Sequence, residues 1–233
     1  LKLGHFEINY GDQHFRASDA GEALFNPLVG NLIMNAFTTE VGGEVYLRVA
    51  PWLAMASITG GEVRGTVATP DLRSPAYIAK LGYDEQVTPS LRLRLTGSFY
   101  RSARAANNTL YSGSRAGSRY YYVLENTAAT ESGQSWSGDL QPGFTREVTA
   151  WVANPFVKLG DLEVFGNVEQ ARGHGGSEIS DRTWRQYGGE GVCRLFDNQL
   201  YVAGRYNVAR GRIAWFAPED RSALEDHVGK NIQ

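Results

Sequence analysis

The sequence predicts an all-β chain, an antiparallel transmembrane β-barrel, and three observations carry that expectation. Apolar and polar residues alternate every second position in segment after segment, whereas helical 3.6-residue periodicity is scarce. Connections alternate in length, short at one end of the strands and long and polar at the other, the pattern of a barrel that crosses a membrane. The apolar face carries many small residues (Gly4, Ala79, Gly97, Ala150, Gly166, Gly189, Gly191 and Gly204), which lipid tails tolerate and a packed core would leave as voids. About nine strands are expected, most near the roughly 9–11 residues of a tilted membrane strand.

The elements follow in order. LKLGHFEINY sets Phe6, Ile8 and Tyr10 on one side and His5, Glu7 and Asn9 on the other. GGEVYLRVA sets Val45, Leu47 and Val49 against Glu44, Tyr46 and Arg48; Pro51-Trp52 turns the chain and LAMASITGG returns. AYIAKLGYD places Tyr77, Ala79, Leu81 and Tyr83 against Lys80 and Asp84, and EQVTP connects it to SLRLRLTGSFYRS. There Leu91, Leu93, Leu95 and Phe99 alternate with Arg92 and Arg94. FTREVTAWVANPFVKLG and DLEVFGNVEQARG form a hairpin about Lys158 to Asp161, in which Leu162, Val164, Gly166 and Val168 oppose Glu163, Phe165, Asn167 and Glu169. RQYGGEGVCRLF and QLYVAGRYNVARGR flank Asp197-Asn198, a two-residue hairpin signal. Long connections span 11–40, 62–75, 101–119, 126–143 and 173–182.

Energetics assign the sides. An arginine on the lipid face costs roughly 2–4 kcal/mol at the bilayer midplane, and one flip of Ser90 to Arg101 would put two there. The leucine face is therefore expected to meet lipid, while Arg48, Lys80, Arg92, Arg94, Arg194 and Arg205, with the acids Glu7, Glu44, Glu147, Glu163 and Glu169, line a lumen of mixed charge. Tyr10, Trp52, Tyr77, Tyr83, Phe99, Trp151 and Trp184 stand near strand ends, as interfacial girdles require.

Composition excludes several classes. A net charge of −2 argues against a nucleic-acid partner. The single cysteine, Cys193, cannot form an internal disulfide. His5, His14, His174 and His227 have no metal-ligand spacing, no GxSxG elbow is present, and Asp12, His14 and Ser18 are three ordinary loop residues. No catalytic group, cofactor or metal is expected. The connection 11–40 is the exception among the polar loops: it carries Phe15, Leu24, Phe25, Leu28, Val29, Leu32, Ile33, Met34 and Phe37. Long loops of this kind are functional or tucked in. This one is expected to fold into the mouth and narrow it, with Asp12, Arg16 and Asp19 at the constriction, or to pack on the rim and bind a partner.

LKLGHFEINYGDQHF resembles the strand, Gly-Asp and inward-loop segment of Gram-negative porins, and FNPLVGNLIMNAFTTEVGGEVY is similar to its continuation in relatives of the phosphate-selective porins. The resemblance covers about the first 65 residues. It implies a bacterial outer-membrane location, a lipid-bilayer partner, passive passage of small polar solutes or ions, and association with like copies or an outer-membrane partner. It also implies about 12 to 16 strands in full. The chain ends EDHVGKNIQ, off any strand and without a terminal aromatic, so residues 1–233 are expected to be one domain belonging to a larger barrel. Other readings are a plugged barrel whose loops dock a partner, an outer-membrane enzyme and a soluble β-protein.

Overall fold

Strands with one apolar and one polar face satisfy their backbone polar groups by antiparallel pairing, and the whole described chain obeys that demand. The structure, a computed structural model, describes residues 1–12, 32–35, 38–63, 70–112 and 142–212. Nine strands follow in chain order: β1 (Lys2–Glu7), β2 (Thr39–Val49), β3 (Trp52–Thr59), β4 (Ala76–Thr88), β5 (Leu91–Ser102), β6 (Glu147–Leu159), β7 (Leu162–His174), β8 (Arg182–Leu195) and β9 (Leu200–Gly211). They form one sheet in sequential order, every neighbouring pair antiparallel. No helix among the described residues is long and apolar enough to cross a membrane, which says nothing of strands.

The nine strands form an open sheet with β1 and β9 as its edges, not a closed barrel; the sequence predicts an incomplete part of a larger barrel, and the sheet seen here is open. In an up-and-down order the first and ninth strands run parallel, so closing this ladder would take a parallel pair, and β1 and β9 do not pair.

All four short turns lie at one end of the sheet, at Ala50–Pro51, Pro89–Ser90, Gly160–Asp161 and Phe196–Gln199. Asp197 and Asn198 take φ of 53° and 69°, the left-handed pair that a tight hairpin needs. The EQVTP connection is shorter than expected: β4 continues to Thr88, with a register shift between Gln86 and Thr88. Whatever structure falls between 113 and 141 lies outside the described residues.

The sheet curls. Tyr100 of β5 donates its hydroxyl to Glu40 Oε1 of β2 at 2.7 Å, although three ladder steps would separate those strands by about 14 Å if flat. On the concave face, at the end with the long connections, lies the core: Ile8, Tyr10, Ile33, Met34, Tyr100, Leu110, Tyr111, Phe144, Val148 and Trp184 among others. Toward the short turns the concave face opens. Among the described residues the convex face is left uncovered, with Leu47 65% and Val202 61% exposed.

Two expectations about sides fall here. Phe6, Ile8 and Tyr10 point into the concave core, not outward, because Ile33, Met34 and Tyr111 are there to pack on them. Ala150 and Trp184 are buried in the same core, and Gly4 stands opposite Gly42 on that face. Tyr10 and Trp184 are therefore not girdle residues.

Candidate functional site

The first residues after β1 cross the concave face and meet four strands in succession. Asn9 N–H donates to Glu44 Oε1 of β2 at 3.2 Å. Lys80 of β4 donates to Asn9 Oδ1 at 2.9 Å and to the Gly11 carbonyl at 3.2 Å. Gly11 N–H donates to Ser98 Oγ of β5 at 3.1 Å, and Asp12 N–H to Asn154 Oδ1 of β6 at 3.0 Å. Gly11 is required twice over. Its φ is +68°, and a Cβ there would press on Val152 Cγ1 at 3.3 Å. So placed, Asp12 bridges two cations: Lys80 Nζ lies 3.3 Å from its Oδ1 and Arg94 Nε 3.3 Å from its Oδ2.

Toward the short turns the same face carries a charged belt. Arg92 grips Asp84 through two bonds, of 2.8 and 2.6 Å. Lys158 Nζ is 2.9 Å from Glu163 Oε1, which Arg194 also approaches at 3.3 Å. Arg205 Nη1 is 2.7 Å from Glu190 Oε2. Arg94 lies over the Phe156 ring at 4.9 Å. A cavity of about 240 Å³ opens among Arg92, Arg94, Phe156, Lys158, Glu163, Phe165, Glu190 and Val192. In this belt Arg92, Arg94, Lys158, Arg194 and Arg205 face Asp12, Asp84, Glu163 and Glu190, a small excess of cations. The local field is therefore positive, in a narrow, partly desolvated space that strengthens it.

Of the residues expected to line a lumen, Lys80, Arg92, Arg94, Glu163, Arg194 and Arg205 share this face with Asp12. Arg48 stands there too, exposed beyond Tyr46 at the short-turn end. Glu169 is on the face but fully buried in the core, where Tyr111 donates to it at 2.5 Å. Two acids lie on the other side. Glu7 pairs with Thr39 on the convex face, one residue after the buried Phe6. Glu147 stands opposite His174 on the convex face and is 2.6 Å from Arg101. Arg16 and Asp19 lie outside the described residues.

Asp84, Lys158 and Glu190 were missed, although extending the alternation from Arg92, Glu163 and Arg194 reaches each of them. Asn9, Ser98 and Asn154 had no signal, since their role depends on where the crossing segment lands.

At the rim with the long connections, the β6–β7 register brings together Glu147, His174 and Asp181, whose ligand atoms lie within 4.8 Å of one another. Their separation in sequence concealed this. A cation would have to displace two arginines, since Arg101 holds Glu147 and Arg172 Nε donates to Asp181 at 3.0 Å. The hydrogen bond with His174, working against partial burial and helped by the Arg172 charge, holds the Asp181 carboxyl below its ordinary value. The ion pairs of this cluster tie the β7–β8 connection to β7 through Asp181, Arg172 and His174, and β6 to β5 through Glu147 and Arg101.

No protein-family model, curated protein or solved structure matches the chain.

Proposed function

We propose that the chain forms part of the wall of a channel in a bacterial outer membrane, through which small polar solutes or ions diffuse passively. One observation carries this reading. The convex face of the sheet is a continuous apolar band: Val45, Leu47 and Val49 on β2, Leu81 on β4, Leu95 and Phe99 on β5, Trp151 and Val157 on β6, Leu162 and Val164 on β7, Leu200 and Val202 on β9, all exposed. Water-soluble monomers rarely leave more than a few hundred Å² of contiguous apolar surface uncovered. The opposite face holds the charged belt, so acyl chains on one side and water on the other satisfy both. Closing such a wall takes strands besides these nine, because β1 and β9 each leave an open edge among the described residues.

Within this reading Asp12, Lys80 and Arg94 mark the narrowest point, where a permeating ion passes closest to fixed charge. The cation excess of the belt gives a weak preference for anions. Reconstitution of the complete barrel, with the strands that close the wall, into planar bilayers tests this. Wild type conducts with a reversal potential on the anion side, and Arg92→Glu with Arg94→Glu moves it toward cations; an unchanged potential removes these arginines from the conducting path.

The core on the concave face favours a second reading, a plugged barrel that docks a partner through its long connections. Tyr10, Tyr111, Leu110 and Phe144 are all 0% exposed and fill that end of the face. A chain that inserts into bilayers and conducts nothing supports the plugged form.

A further inference from the structure

We infer that the convex face at the β7–β9 rim is a binding site for the phosphate-bearing headgroup of a membrane lipid. This rests on the membrane reading above. Arg185 of β8 and Arg210 of β9 are direct register partners, both exposed on the convex face. Residues so paired hold their Cβ atoms about 5 Å apart, and like charges there repel. Arg185 donates to the neutral Gln170 at 2.8 Å, and among the described residues no acid pairs with either arginine. Asp181, which lines the cleft beside them, is already taken by Arg172 and His174. A cleft of about 450 Å³ opens here, bounded by Arg182, Arg185, Tyr187, Arg210 and Arg212, with Asp181 at one side. An anion between the two guanidinium groups relieves the repulsion, and their planar forks suit the tetrahedral oxygens of phosphate.

Position selects the lipid as the source. One step toward the short turns stand the exposed Tyr187 and, past Val208, Tyr206, which is 74% exposed. Below them the convex surface of β8 and β9 is bare at Gly189, Gly191 and Gly204, where an added Cβ meets nothing within 4 Å. Phosphate at the arginines thus places acyl chains along a smooth apolar strip beneath a tyrosine ring pair, the order of groups in a lipid leaflet. Free phosphate in water has no use for that strip.

The test uses the full chain in neutral alkyl-maltoside micelles, titrated with phosphatidic acid, with diacylglycerol, and with inorganic phosphate as competitor. Arg185→Gln/Arg210→Gln is expected to weaken phosphatidic acid binding about thirty-fold, two surface cations being lost, while Arg104→Gln, an exposed rim arginine elsewhere, leaves it unchanged. Diacylglycerol does not bind, and excess inorganic phosphate does not displace the lipid. If the double variant fails to fold, judged by its far-ultraviolet strand signal, Arg210→Gln alone is read for a loss of about five-fold. Equal affinity in wild type and variant overturns the site, and displacement by inorganic phosphate overturns the lipid as its ligand. Insertion of the wild type into vesicles is scored separately. A chain that inserts but binds the lipid without these arginines refutes only this inference, whereas one that stays in water refutes the membrane reading with it.

Discussion

Asp12 is the residue through which the crossing segment and the charged face are joined. Its two oxygens each hold a cation, Lys80 and Arg94, and all three side chains are largely buried. Asp12→Asn keeps the shape and removes the charge, leaving two cations facing each other. We expect a loss of about 2 kcal/mol in urea unfolding and a reversal potential moved further toward anions. A second residue-scale test lies deeper. Tyr111 accepts from Tyr10 at 2.9 Å and donates to Glu169 at 2.5 Å, all three fully buried. Tyr111→Phe strands a buried carboxyl and a buried hydroxyl, so about 1–3 kcal/mol should be lost, seen as a lower urea midpoint with an unchanged slope. At this scale the sequence could be read for sides and not for direction. It separated Phe6, Ile8 and Tyr10 from His5, Glu7 and Asn9 correctly, but alternation is symmetric. In β5 two arginines break the symmetry through the cost of placing them in lipid. In β1 the polar set costs little on either side, and the apolar set is drawn inward by Ile33, Met34 and Tyr111, which come from elsewhere in the chain.

At the scale of elements, hairpins and their turns were legible because each carries its own chemistry: Asp197-Asn198 with positive φ, Gly160 with φ of +55°, Pro51 after β2. Strand ends were not, and β4 outruns its expected limit because Glu85 to Thr88 pair with β5 in spite of their polarity. Strands β7 and β8 offer a sharp contrast between glycines. A Cβ on Gly173 would meet the Glu147 carbonyl oxygen of the paired strand at 1.9 Å, whereas one on Gly191 meets nothing. Gly173→Ala must push β6 away and is expected to cost about 2–4 kcal/mol, with Gly191→Ala within about 0.5 kcal/mol of wild type; thermal unfolding in detergent compares them. The connection from β7 to β8 should be acid-labile. Asp181 is held below its ordinary value of 3.8 by His174 and Arg172. A carboxyl with a depressed folded value stabilises above its unfolded value, and that stabilisation is lost as pH falls through the folded one. Amide exchange of residues 175–181 should therefore rise below about pH 4, before the strands themselves open.

For the whole molecule, all-β class, antiparallel order and the gathering of short turns at one end were written in the alternation and in the turn residues. Curvature and the covering of one end of the concave face were not, because both depend on contacts such as Tyr100 to Glu40 that join residues 60 positions apart. The membrane reading assigns the two faces of the sheet to different solvents, and the chain carries a reporter for one of them. Cys193, its only cysteine, lies on the convex face of β8 between Leu162 and Val202, toward the short turns. A nitroxide attached to Cys193 in vesicle-reconstituted protein should be relaxed by oxygen, which concentrates among acyl chains, and hardly by a water-soluble nickel chelate; Cys193→Ser with Arg94→Cys should show the reverse. A Cys193 label open to the chelate, or a label at position 94 reached only by oxygen, would contradict the assignment of the apolar face to lipid.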